Sequence, residues 1–135
     1  MPVATSRSTA VTLPEGPFPH VALSAQLRFE ASLPYGVCLA FPSRGPQGET
    51  LEWHFGRDLL AEGRLAPAGD GDVRVEPGPD GRVLVTLSPH DAGRTVVSVP
   101  AKAVAAFLAD AFALVPPGTE SEHLDLDAVL AQLFP

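Results

Sequence analysis

The strongest constraint on this chain is an alternation of period two. Val21, Leu23, Ala25, Leu27 and Phe29 are apolar, and Ala22, Ser24, Gln26, Arg28 and Glu30 fall between them. Successive side chains of a strand point to opposite faces, so this run predicts a half-buried β-strand. A helix is the rival reading for its Ala/Leu/Gln composition, but the alternation favours the strand. The pattern returns in Tyr35, Val37, Leu39 and Phe41, with small Gly36, Cys38 and Ala40 opposite. A strand apolar on both faces belongs inside a sheet or beneath a helix. It returns again in Leu51, Trp53 and Phe55, in Val73 and Val75, in Val83, Val85 and Leu87, and over Arg94 to Val99.

What separates these runs is turn chemistry. Fifteen prolines and twelve glycines in 135 residues favour short strands over a helix bundle. Pro14 to Pro19, Ser43 to Gly48, Pro77 to Gly81 and Ser88 to Gly93 read as loops and turns. Thr9 to Leu13 is expected as a short first strand, preceded by a loose tail over residues 1–8. Residues 9–135 are expected to form one domain, a size that can bury a core without staples.

The period changes in two places. After Phe55, Gly56 leads into a short helix over Arg57 to Glu62, which Gly63 is placed to close. After Pro100, Val104, Phe107, Leu108, Ala111 and Val115 recur at helical spacing. Pro116-Pro117-Gly118 stops that helix. Asp125 is placed to cap a last one, with Leu126, Val129, Leu130 and Leu133 as its stripe. The expected fold class is therefore α+β: about seven antiparallel strands, one short internal helix and two C-terminal helices.

Composition narrows the partners. A net charge of −7 disfavours a phosphate-backbone partner, because such affinity rests on Lys and Arg neutralising phosphates. The single cysteine, Cys38, excludes an internal disulfide framework and fits a cytosolic protein. No signal-peptide pattern and no run of 18 apolar residues is found, so no membrane span is expected.

Chemistry-bearing residues are few. Cys38 and His54 are the types of a nucleophile and its base, but nothing indicates a third, orienting group, and a small buried cysteine is the simpler account. His123, Asp125 and Asp127 alternate, but acids at a helix start are favoured by its dipole without any metal. Gly69-Asp70-Gly71-Asp72 lacks the later ligands of a calcium loop. Ser88-Pro89-His90-Asp91 holds triad residue types, though adjacency in sequence is not triad geometry. No catalytic, cofactor-binding or metal-binding residues are assigned. Arg57 and Asp58, expected at the surface of the short helix, are the candidate partner-binding residues. Arg57 could grip a carboxylate there, or the pair could be a helix-start acid and a solvated arginine.

The order of motifs carries a resemblance. Leu27-Arg28-Phe29 and Pro34-Tyr35-Gly36-Val37 precede Trp53-His54-Phe55-Gly56-Arg57-Asp58-Leu59-Leu60-Ala61-Glu62-Gly63. Gly71-Asp72-Val73-Arg74-Val75, Val115-Pro116-Pro117-Gly118-Thr119-Glu120 and Asp125-Leu126-Asp127 follow. From about Val21 to Leu133 the chain resembles the SsgA-like family of actinobacterial sporulation and cell-division proteins. It departs from the family's usual pattern at Leu33, where Asp is common, and at Gly56, where Ala is common. The resemblance implies a whirly-like twisted sheet or half-barrel and a homotrimer. It implies a non-enzymatic adaptor, cytoplasmic and at the septum, that positions or recruits the tubulin-like division protein FtsZ, with other SsgA-like proteins as further partners. The kinship of that fold to single-stranded nucleic-acid binders supplies the alternative function, against which the acidic charge weighs.

Overall fold

A computed structural model of the chain describes residues 3–42, 51–69, 71–88, 93–124, 127 and 130. Seven strands and three helices lie among these described residues. The strands are β1 (Ala4–Val11), β2 (Leu23–Glu30), β3 (Gly36–Phe41), β4 (Leu51–Gly56), β5 (Val73–Pro77), β6 (Arg82–Leu87) and β7 (Thr95–Pro100). The helices are α1 (Arg57–Gly63), α2 (Ala101–Leu114) and α3 (Glu120–His123). β1 to β4 form one antiparallel sheet in sequence order, and β5 to β7 form a second. The α+β class is as expected, and the last three strands fall where the alternation placed them. The expected last helix from Asp125 falls largely outside the described residues.

The two sheets meet at the end of β1. Thr12 and Ser98 exchange backbone hydrogen bonds, 3.1 Å from Thr12 N to Ser98 O and 2.9 Å in return. One core fills the space between the sheets and under the helices. Ala25, Leu27 and Phe29 of β2, Val37 and Leu39 of β3, Val75, Val83, Val85, Val97 and Val99 of the second sheet, and Leu60 of α1 all enter it. α2 packs across β1, β2, β6 and β7 and buries Val104, Phe107, Leu108 and Ala111, the stripe its spacing predicts, with Val115 just beyond. β3 is buried on both faces over Val37 to Ala40, as expected of an inner strand.

The first strand corrects the sequence reading. Residues 4–8 are not a loose tail: β1 begins at Ala4 and pairs with β2 in unbroken register from Ala4↔Glu30 to Val11↔Leu23. Its side chains are mostly small, polar and exposed, and only Val11 is fully buried. It is held by the backbone ladder of an edge strand, so no apolar alternation announces it.

Gly63 corrects a second expectation. It does not end α1 through a left-handed conformation; the residue after it, Arg64, is right-handed helical. A Cβ at position 63 would collide with the side chain and carbonyl oxygen of Val75 on β5. Glycine is needed there so that α1 can lie against β5.

Candidate functional site

The stretch from Leu51 to Gly63 runs from β4 into α1, and its two ends have opposite surroundings. At the α1 end, Gly56 is extended and Arg57 opens the helix. The Arg57 backbone N–H donates to Tyr35 O at 2.7 Å, which ties the helix start to the edge of β3. Its side chain points inward and is only 1% exposed. Nη1 donates to the carbonyl oxygens of Val115 at 2.7 Å and Ala111 at 3.4 Å. Nη2 donates to Glu120 Oε2 at 3.0 Å. The guanidinium lies 4.4 Å from the Phe112 ring centre and 5.2 Å from that of Phe29. Nε has no hydrogen-bond partner among the described residues, and the flanking ring faces offset part of that charge.

The chemistry is that of a helix cap supplied from outside the helix. The last carbonyls of α2 have no partner within it and carry its negative dipole end. α2 has no basic residue in its last turn, and the chain has no Lys or Arg after Lys102. Arg57 provides the missing cation across more than fifty residues. Glu120 completes the arrangement, accepting from Gly118 N at 2.8 Å through its other oxygen. Its own backbone N–H, followed by that of Gly118 and by Arg57, holds its carboxyl below the usual range, against the opposing push of burial. Arg57 therefore does not present itself to a partner, contrary to the sequence reading. The reason is tertiary: the end of α2 arrives exactly where α1 begins, a juxtaposition no local pattern encodes. Asp58, the next residue, is exposed in the first turn of α1, where the helix dipole favours its charge.

At the other end of β4 lies an open apolar groove of about 630 Å³ between the sheets. Leu13, Leu23, Phe41, Leu51, Trp53 and Leu87 supply its apolar walls. Trp53 is not a central core anchor; it is half-buried at the groove wall, while Phe55 is the one buried residue of its strand face. Leu51 is 60% exposed, and nearby Val21 and Leu23 also meet solvent.

The other residues singled out in the sequence separate cleanly. Cys38 and His54 are direct partners in the β3–β4 ladder, and Glu52 lies beside them on the same face. Burial, and next the Glu52 carboxylate, push the Cys38 thiol up, against smaller opposing effects of Arg28 and a backbone N–H. That weakens it as a nucleophile, since the thiolate is the reactive form. His123 lies in α3, and Asp125 falls outside the described residues. Asp70, Pro89, His90 and Asp91 fall outside them as well. Among the described residues no helix is long and apolar enough to cross a membrane.

Two open antiparallel sheets, a capped α2 and a short α1 define an α+β protein whose most distinctive charged residue is architectural. The family model for "Streptomyces sporulation and cell division protein, SsgA" matches residues 23–120. A sporulation-specific cell division protein SsgB of Kineococcus radiotolerans is 47% identical over 121 residues, covering 85% of this chain and 70% of the relative. The SsgB of Streptomyces coelicolor is 44% identical over 113 residues, covering 82% and 80%. A solved structure from work on SsgB mutations that correlate to longitudinal cell division during sporulation of S. coelicolor superposes with a TM-score of 0.79 at 37% identity, over 90% of this chain and 95% of that one. An SsgA-like sporulation-specific cell division protein from Thermobifida fusca gives a TM-score of 0.75 at 30% identity, over 97% and 95%. The chain belongs to the SsgA family of sporulation and cell division proteins.

Proposed function

We propose that this protein is a non-enzymatic regulator of cell division and sporulation-specific septation, which works as an adaptor by positioning or recruiting FtsZ at the septum from the cytoplasmic side. Membership in a family whose relatives are sporulation-specific cell division proteins supports the process. The observation that carries the adaptor reading is the open groove at the Leu51 end of β4. Large apolar side chains left in water around a concavity are stabilised when a partner covers them. The occupant assigned is a protein segment of the division machinery that presents apolar side chains to Leu51, Leu23 and Trp53. Asp58, exposed on α1, remains a candidate for a polar contact elsewhere on the surface. Assembly as a homotrimer is part of the same reading, and light scattering of the purified protein tests it.

The distribution of cations favours a protein partner over a nucleic acid. Arg7, Arg28, Arg57, Arg74 and Arg94 are each paired with a carboxylate of this chain, so phosphate binding by these five would compete with internal ion pairs. A fluorescent fusion tests the adaptor reading in vivo. Septal foci that precede or track the FtsZ ring are expected; a diffuse signal throughout growth and sporulation would overturn it. Steeply salt-dependent micromolar binding to single-stranded oligonucleotides would move the assignment to the alternative.

A further inference from the structure

The sequence reading assigned no metal ligands, but the strand register assembles three donors of different kinds. Cys38 faces His54 directly across the β3–β4 ladder. Glu52 precedes His54 by two residues and so shares its face of the sheet. Across from Glu52 stands Ala40, a small residue that is fully buried. The Cys38 Sγ, a Glu52 carboxylate oxygen and a His54 ring nitrogen all lie within 4.8 Å of one another. Glu52 Oε1 is 3.5 Å from His54 Nε2. Two donors bound tetrahedrally to one zinc ion stand roughly 3.3 Å apart, given metal–ligand bonds of about 2.0 Å. The carboxylate–imidazole separation is close to such an edge, and the sulfur lies within 4.8 Å of both.

The surroundings orient the donors. Glu52 Oε2 accepts from Arg28 Nη1 at 3.0 Å, while Arg28 Nε donates to Gln26 Oε1 at 2.9 Å. One carboxylate oxygen is held by Arg28 and the other is turned toward His54. This is the division of labour seen where an outer partner aims a metal-binding carboxylate. Cys38 is buried, whereas the His54 side chain is 70% exposed, so an ion can reach the imidazole from solvent. Thiolate, imidazole and carboxylate together suit a divalent ion of borderline softness, with a fourth position open to water or a partner's side chain.

We propose that Cys38, Glu52 and His54 form a three-ligand site for zinc or a chemically similar divalent ion on the outer face of the first sheet, with Arg28 as the residue that positions Glu52. Binding releases the thiol proton to solvent and forms the sulfur–metal bond. The test is titration of the full-length protein with Co2+ as the optical probe, followed by competition with Zn2+. One Co2+ per chain is expected, with a thiolate-to-cobalt charge-transfer band that Zn2+ abolishes. Cys38→Ser should remove the band. His54→Ala and Glu52→Gln should each weaken affinity by about ten-fold or more, and Arg28→Gln by about ten-fold. His54 is largely exposed, so its variant keeps the fold and keeps the test decisive if Cys38→Ser unfolds. Absence of the band in the wild-type protein, or unchanged affinity in His54→Ala, would overturn the site.

Discussion

The two ends of the β4–α1 stretch are a few residues apart and physically opposite. At the Arg57 end a charged side chain is enclosed by two aromatic rings, two backbone carbonyls and a carboxylate. At the Leu51 end, apolar side chains line an open groove and meet water. Residue type alone would have assigned these roles the other way round. Burying a guanidinium is tolerable only because its charge and most of its donors are matched. Leu51 left in water beside a half-buried Trp53 is the arrangement that the proposed partner would cover. The stretch thus joins an internal lock to an external face, and substitutions at the two ends should separate stability from binding.

The largest expected effect is at the lock. Arg57→Ala leaves Glu120 without its cation, removes the cap of α2 and opens a void beside Phe29 and Phe112. It should lower stability by about 3 kcal/mol or more, read as a drop in denaturation midpoint; an unchanged midpoint would return Arg57 to the surface. Arg57→Lys keeps the charge but not the fork that spans Val115 O and Glu120, so only part of the loss should be recovered. Next comes Gly63→Ala, which forces a methyl group into Val75 and its carbonyl oxygen. A loss of about 1–3 kcal/mol is expected from overpacking. A C-terminal capping role without close packing would leave this variant near wild type.

A smaller effect, with a pH signature, belongs to Glu120. Its carboxyl is held below its usual range in the folded protein. The stability it contributes is fully present above the ordinary glutamate range, near pH 4.3, and is lost as pH falls through the lowered folded value. Glu120→Gln should therefore be less stable than wild type at neutral pH, with the gap narrowing under acid. Denaturant melts at neutral and acidic pH check this, and a gap that widens toward acid would contradict the sign. The smallest effect on stability, within about 0.5 kcal/mol, is expected for Leu51→Asp at the open end. That variant should nonetheless lose partner capture and septal foci. Loss of foci with Arg57→Lys but not with Leu51→Asp would reverse the comparison.

Much of the fold is legible in the sequence because burial imprints a period. β2, β3, β6 and the apolar stripe of α2 follow from alternation or helical spacing. β1 does not, since Thr5, Ser6, Ser8 and Thr9 are held by backbone pairing rather than side-chain burial. The signature residues were visible too, but their roles were not. Arg57 looked like a surface cation because a helix start is usually solvated. The one available hint was the lack of any Lys or Arg beyond Lys102, which left the end of α2 in want of a cation. Alternation alone puts Glu52 and His54 on one face of their strand, and the register is what sets Cys38 opposite His54.

What the sequence by itself determined is most of the elements, from β2 to α2, their approximate bounds and the family, because local periodicity and turn chemistry act over a few residues and leave their mark in order. Only the tertiary structure decided that α2 ends beside the start of α1, that Val75 crosses Gly63, and that Leu51 and Trp53 line a groove. Those contacts join residues distant in the chain, and the forces that select them, desolvation and the need to satisfy buried charge, depend on what surrounds a side chain rather than on its neighbours in sequence.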